Sequence, residues 1–211
     1  RTGAIPPNRL LGLYSERKAA ASGGVWTRVI AMQEFEAALL TRDPAAIAQT
    51  LPPVWAAMQG EQLESVFASL YGGRLIGLAL DTDTSALAFR ISLLSADYEK
   101  AALARKPADD TEAFLIDLAR GLSTTPPASD EMGLAVQAAF APTAALEAED
   151  TLRLTDGHLG ASLLAAMNLI SGGAKGDLRS VTRGLVLLRK AGLESVARQA
   201  ALELVLLERH G

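Results

Sequence analysis

Histidine is the side chain most often found shuttling protons, and this chain has two, His158 and His210. His158 follows Asp156-Gly157 at the start of a helical stretch, where a lone histidine is more often exposed than a general base. His210 is the penultimate residue, and two histidines so far apart form no zinc pattern. The run Gly172-Gly173-Ala174-Lys175-Gly176 has the look of a phosphate loop. It lacks the Gly-Lys-Ser/Thr ending and no strand precedes it, so it reads as a turn between helices that at most holds an adventitious anion.

Paired carboxylates occur at Glu34 and Glu36 and at Glu61 and Glu64. The first two sit two apart on a helix and diverge, while the second two share a face in a Gln-bearing turn. Neither pair has a second feature to mark a cleft of the kind acid–base hydrolysis needs. One-sign charge gathers only at Lys175, Arg179, Arg183, Arg189 and Lys190. Arg179 and Arg183 are one turn apart and project together, which makes a docking patch for an acidic partner. The competing reading is a solvated face partly paired with Asp109, Asp110, Glu147 or Glu149. Trp26, Trp55, Phe67 and Tyr71 are candidates to line a ligand groove, although aromatics at helical spacing are more often core.

Composition excludes several classes. There is no cysteine, hence no disulfide, thiolate nucleophile or cysteine-held metal. A net charge of −4 argues against a general nucleic-acid or anionic-membrane binder. No apolar run approaches the roughly 18 residues of a membrane span. Hydrophobic residues make up 49% and charged residues 21% of the 211, the balance of a folded, soluble domain. Aromatics are only 5%, so the core must be built from Leu, Ala, Val and Ile. Arginine well outnumbers lysine, which leans toward a GC-rich bacterial source. The chain starts at Arg1 and not at Met, which suggests a processed or truncated product and fits cytoplasm or periplasm alike.

The elements that would position these residues are helices throughout. Residues 1–8 read as an extended arm with Pro6-Pro7, and residues 9–122 as an N-terminal helical layer. Residues 123–128, with Pro126-Pro127, are the best boundary, and residues 129–211 form a C-terminal helical layer. Val25 to Leu40 carries a strong helical period, and Asp43-Pro44 is a cap and first-turn proline that restart the chain. Pro52-Pro53 is expected to break the next helix, Gly72-Gly73 to interrupt the one after, and residues 75–80 to be a short helix or an apolar loop. Asp109, Asp110 and Glu112 supply negative charge to a helix start, and Ser129-Asp130 caps a helix to Phe140.

The chain ends in a helical hairpin, residues 177–209. Leu178, Val181, Leu185 and Leu188 line one face of its first helix, and Gly192 ends it as a left-handed C′ residue. In the second, Leu193, Val196, Ala200, Leu204 and Leu207 repeat the spacing, and Leu202, Val205 and Leu206 add apolar surface opposite. The final helix is therefore expected to be sandwiched, with Leu204→Ala costing about 2–5 kcal/mol.

The fold expected is all-α: about ten short helices in an array of antiparallel hairpins, solenoid-like or an irregular bundle. No fixed repeat survives comparison of the hairpins. The functional expectation is a non-enzymatic scaffold or adaptor that binds another protein or peptide, with self-association kept as a further partner class. The alternative is a small-molecule, lipid or glycan-binding domain, or the accessory part of a larger enzyme. No cofactor and no metal is expected. A deep cavity lined by Trp26 or Trp55 would favour the alternative.

Overall fold

A computed structural model describes residues 24–122, 130–173 and 176–207. The described residues are all-helical, with eleven α-helices and no strand. The chain divides into two compact units, Arg1–Glu61 and Gln62–Gly211. The expected arm at residues 1–8, the helix after it and the boundary at 123–128 lie outside the described residues.

The first unit holds α1 (Val25–Thr41) and α2 (Pro44–Gln59), packed on each other. The turn between them follows the expected chemistry. Arg42 takes φ 52°, Asp43 accepts from the Ala45 N–H at 3.0 Å, and Pro44 is the first helical residue. Pro52-Pro53 does not break α2. Ile47, Leu51, Val54 and Met58 form one buried stripe that runs past both prolines, while Pro52 and Pro53 face solvent. The proline rings and the hydrogen bonds they forfeit thus lie on the wet side, and burial of the stripe on either side of them holds the helix together.

The second unit holds the remaining nine helices. They are α3 (Glu64–Leu75), α4 (Thr82–Leu93), α5 (Tyr98–Ala104), α6 (Asp110–Arg120), α7 (Glu131–Phe140), α8 (Ala148–Thr155), α9 (Leu159–Gly173), α10 (Leu178–Lys190) and α11 (Glu194–Leu206). Gly72-Gly73 stays inside α3 rather than ending it. The reason is proximity: a Cβ on Gly72 would stand 2.7 Å from the Ser95 Cβ, and Ser92 Oγ donates to the Gly72 carbonyl at 2.8 Å. Gly72 thus lets α3 lie close on the backbone of α4 at Ile91, and Gly73 lies against the Asp97 side chain. Residues 76–81 are then an apolar loop. Asp81, Asp109, Asp130 and Asp177 each cap a helix by accepting a backbone N–H of its first turn. Gly121 and Gly192 end α6 and α10 in the left-handed region, at φ 68° and 86°.

One continuous core joins Phe89 and Leu93 of α4 and Tyr98 of α5 with Leu115 and Leu118 of α6, Val136 of α7, Leu185 and Leu187 of α10 and Leu202 of α11. At its centre lies α10, packed against α7, α9 and α11. Val181, Gly184, Leu185, Val186, Leu187 and Leu188 are all buried, so α10 is enclosed on every side through its middle. Gly184 permits this closeness: a Cβ there would meet the Ile170 Cγ1 at 2.8 Å and the Ala166 carbonyl at 3.0 Å.

The expectation that the final helix is sandwiched needs correcting. The enclosed rod is α10, and α11 is covered on one side only. The side of α11 that reaches full burial is Ala197, Ala201 and Leu202. Small alanines let it seat closely on its neighbours, while of the predicted stripe only Leu207 is buried. Val196 is 48% exposed, and Leu193, Ala200 and Leu204 are only partly covered.

Candidate functional site

That stripe is one wall of an open cleft of about 760 Å³ in the second unit. Val196, Ala200, Leu204 and Leu207 face it from α11. Leu163, Met167 and Ile170 face it from α9, at i, i+4 and i+7, a single helical stripe. Leu188 of α10 forms the floor, and Met132 of α7 adds a further apolar side chain. Both walls pack on α10 and hardly on each other. Helix α9 is antiparallel to α10: Gly173 lies against Val181 and Ile170 against Gly184. A three-residue turn joins α10 to α11, and the trough lies between the two walls.

The trough is apolar by construction. Helix α9 reads LGASLLAAMNLISGG, without one charged residue, and yet exposes Leu159, Leu164 and Met167, the last at 64%. An apolar patch of this kind marks an interaction site more often than idle surface. Among the described residues only Asp130, Ser171 and Glu203 bring polar groups to the lining, and no cation does. Two of the chain's four methionines, Met132 and Met167, line it, and a flexible thioether chain adapts to the shape of what it meets.

The residues singled out by sequence lie elsewhere. Arg183 is drawn inward. Its Nε donates to Asp150 Oδ2 at 2.6 Å and its Nη2 to Asp150 Oδ1 at 2.9 Å and Glu149 Oε2 at 3.0 Å. Asp150 is fully buried and also receives Arg153 at 3.2 Å, so this cluster pins α8 to α10. The Asp150 hydrogen bonds, above all, hold the Arg183 guanidinium charged beyond its usual range. Arg179 is 87% exposed and reaches Glu147 at 3.2 Å. Arg189 donates to the Ala139 carbonyl at 2.6 Å, pairs with Glu194 at 2.9 Å and lies over the Phe140 ring. Lys190 is exposed, and Lys175 is outside the described residues. Arg179 and Arg183 thus meet the acids of α8, and Arg189 is spent on α7 and α11.

Trp26 and Trp55 are half-buried in the first unit. Phe67 and Tyr71 are buried in the second, their ring centres 5.0 Å apart. None of the four lines the cleft. Glu34 and Glu36 are exposed either side of buried Phe35, and Glu61 pairs with Arg28 at 2.8 Å. Glu64 belongs to the other unit. His158 is exposed at the start of α9, its carbonyl accepting from Ser162, and His210 lies outside the described residues. Gly172 and Gly173 are the last residues of α9, with Gly173 pressed on Val181. Among the described residues no group of three or more His, Asp or Glu could hold a metal, and no helix is long and apolar enough to cross a membrane.

A second polar cluster is structural in the same way. Arg105 forks onto Glu112 at 2.8 and 2.6 Å and reaches Ser85 at 2.9 Å, and the Ala108 N–H donates to Glu112 at 3.0 Å. Burial pushes the Glu112 carboxyl up, but the hydrogen bonds from Arg105 and Ala108 and the Arg105 charge outweigh it, so the group titrates below the usual glutamate range.

No protein-family model, no curated protein and no solved structure matches the chain.

Proposed function

We propose that this domain is a non-enzymatic adaptor that takes an amphipathic helix of another protein into the trough between α9 and α11. The observation that supports the reading is two apolar helix faces standing over a common floor, with nothing laid between them among the described residues. The stretches Leu163–Ser171 and Val196–Leu204 are each about 12 Å long at 1.5 Å per residue. A helix of that length and about 10 Å across fills roughly 900 Å³, close to the 760 Å³ on offer. Helix-in-groove recognition uses such a seat, reading apolar anchors at i, i+3, i+4 and i+7. A small-molecule site of this size would ordinarily carry several convergent polar groups to orient its ligand. Here the lining is nearly bare of them and half open.

The chain's methionines give the test. The methyl resonances of Met132 and Met167 report on the trough, and those of Met32 and Met58 on the first unit. Titration with a 14-residue helical peptide bearing leucines at the four anchor positions should shift Met132 and Met167 only. Met167→Glu should abolish the shift. Equal movement of all four, or none, refutes the reading. Palmitate that shifts the same two methyls, where the peptide does not, would hand the trough to a small amphiphile.

A further inference from the structure

We infer that the trough selects a basic amphipathic helix, with a lysine or arginine of the partner set on Glu203. This rests on the trough being a helix seat. Glu203 stands on the α11 wall beside Ala200, Leu204 and Leu207, only partly exposed. Of the two carboxylates of α11, Glu194 is met by Arg189 at 2.9 Å, while Glu203 has no cationic partner among the described residues. The acids of α8 show the contrast: buried Asp150 is met by Arg183 and Arg153, and Glu147 by Arg179 at 3.2 Å. A half-covered carboxylate on an apolar wall loses hydration when a partner closes over it, and leaving it unpaired then is costly. The partner must bring the counter-charge or be penalised.

The rest of the rim points the same way. Asp130 is the other charged residue of the lining, and one of its oxygens caps α7 through Gly133. Among the described residues no lysine, arginine or histidine lines the trough to balance the pair. A second copy of this chain is a poor occupant. The chain carries a net charge of −4, and the charged residues that the described part of this face would bring to a two-fold contact are acids from both copies.

Two 14-residue peptides make the test, with the same leucine anchors and either lysine or glutamate at the three positions flanking the apolar stripe. Each is titrated by fluorescence anisotropy into the wild-type chain and into Glu203→Lys. The lysine peptide should bind the wild-type chain at least about fivefold tighter than the glutamate peptide, and Glu203→Lys should invert that order. Glu203→Gln, which keeps the side-chain shape, should erase most of the preference and guard against misfolding of the reversal. The same preference in all three proteins would overturn the Glu203 assignment. The seat itself would survive that result if both peptides still moved Met132 and Met167. Neither peptide binding would overturn both readings. So would saturable binding of dodecylammonium, lost in Glu203→Lys, in a protein that ignores both peptides.

Discussion

Leu187→Ala and Leu204→Ala together test whether α10 or α11 is the enclosed helix. Each change removes three carbons. At about 0.8 kcal/mol per buried carbon, full burial forfeits about 2.4 kcal/mol of transfer free energy. Leu187 is fully buried on α10, with packed helices around it, so a cavity term adds to this and the cost should reach about 3–4 kcal/mol. Leu204 lies in the wall of an open trough and is already partly in water. Roughly half of the transfer term applies and no closed cavity forms, so the expected cost is about 1 kcal/mol. Urea unfolding followed by helical ellipticity measures both, with unchanged slopes required for the comparison. Equal costs near 3 kcal/mol would mean that something covers the trough in solution, and the reasoning from an open groove would fail.

Two further outcomes follow from the buried ion pairs. Arg183→Ala should cost about 3 kcal/mol by leaving the buried Asp150 carboxylate to Arg153 alone, while Arg179→Ala, at an 87% exposed pair, should cost under about 0.5 kcal/mol; equal losses in urea titrations would refute the pinning role. Glu112 titrates lower folded than unfolded, so its stabilisation is complete above about pH 4.3 and is lost as pH falls through the lower folded value. Glu112→Gln should therefore lower stability at pH 7 and flatten the decline below pH 4.3, and a decline as steep as wild type would show that other carboxylates carry it.

Much of the fold was legible because period and punctuation are local. Asp43-Pro44, Asp109, Asp130, Gly192 and the stripe Val181, Leu185 and Leu188 of α10 say where helices begin, end and face, and the structure agrees, whereas Val25 and Leu40 of the α1 period are exposed. Local rules misled where a partner decides. Pro52-Pro53 and Gly72-Gly73 break isolated helices, but the prolines sit on a wet face, Gly72 lets α3 approach α4, and Gly73 lies against Asp97. The trough was hidden for a related reason. An apolar stripe such as Val196, Ala200 and Leu204 signals that a surface seeks cover, and it reads the same whether the cover comes from its own chain or from another. The one local hint was α9, fifteen residues without a charge. Such a helix is ordinarily buried all round, and α9 is not.

The separation of roles within the terminal helices explains how a domain can expose such a face and remain folded. Burial is concentrated on α10, whose glycine at 184 draws α9 close, and on the alanine side of α11. Leu163, Ile170, Ala200 and Leu204 pack on the core with part of their surface and look into the trough with the rest. Met167 and Val196 are the exposed ones, at 64% and 48%, and add little to the core. A surface of this kind is kept apolar at some risk of aggregation. On the proposed reading an occupant covers that surface, and Glu203 and Asp130, the two acids among the described residues of its lining, favour a basic one.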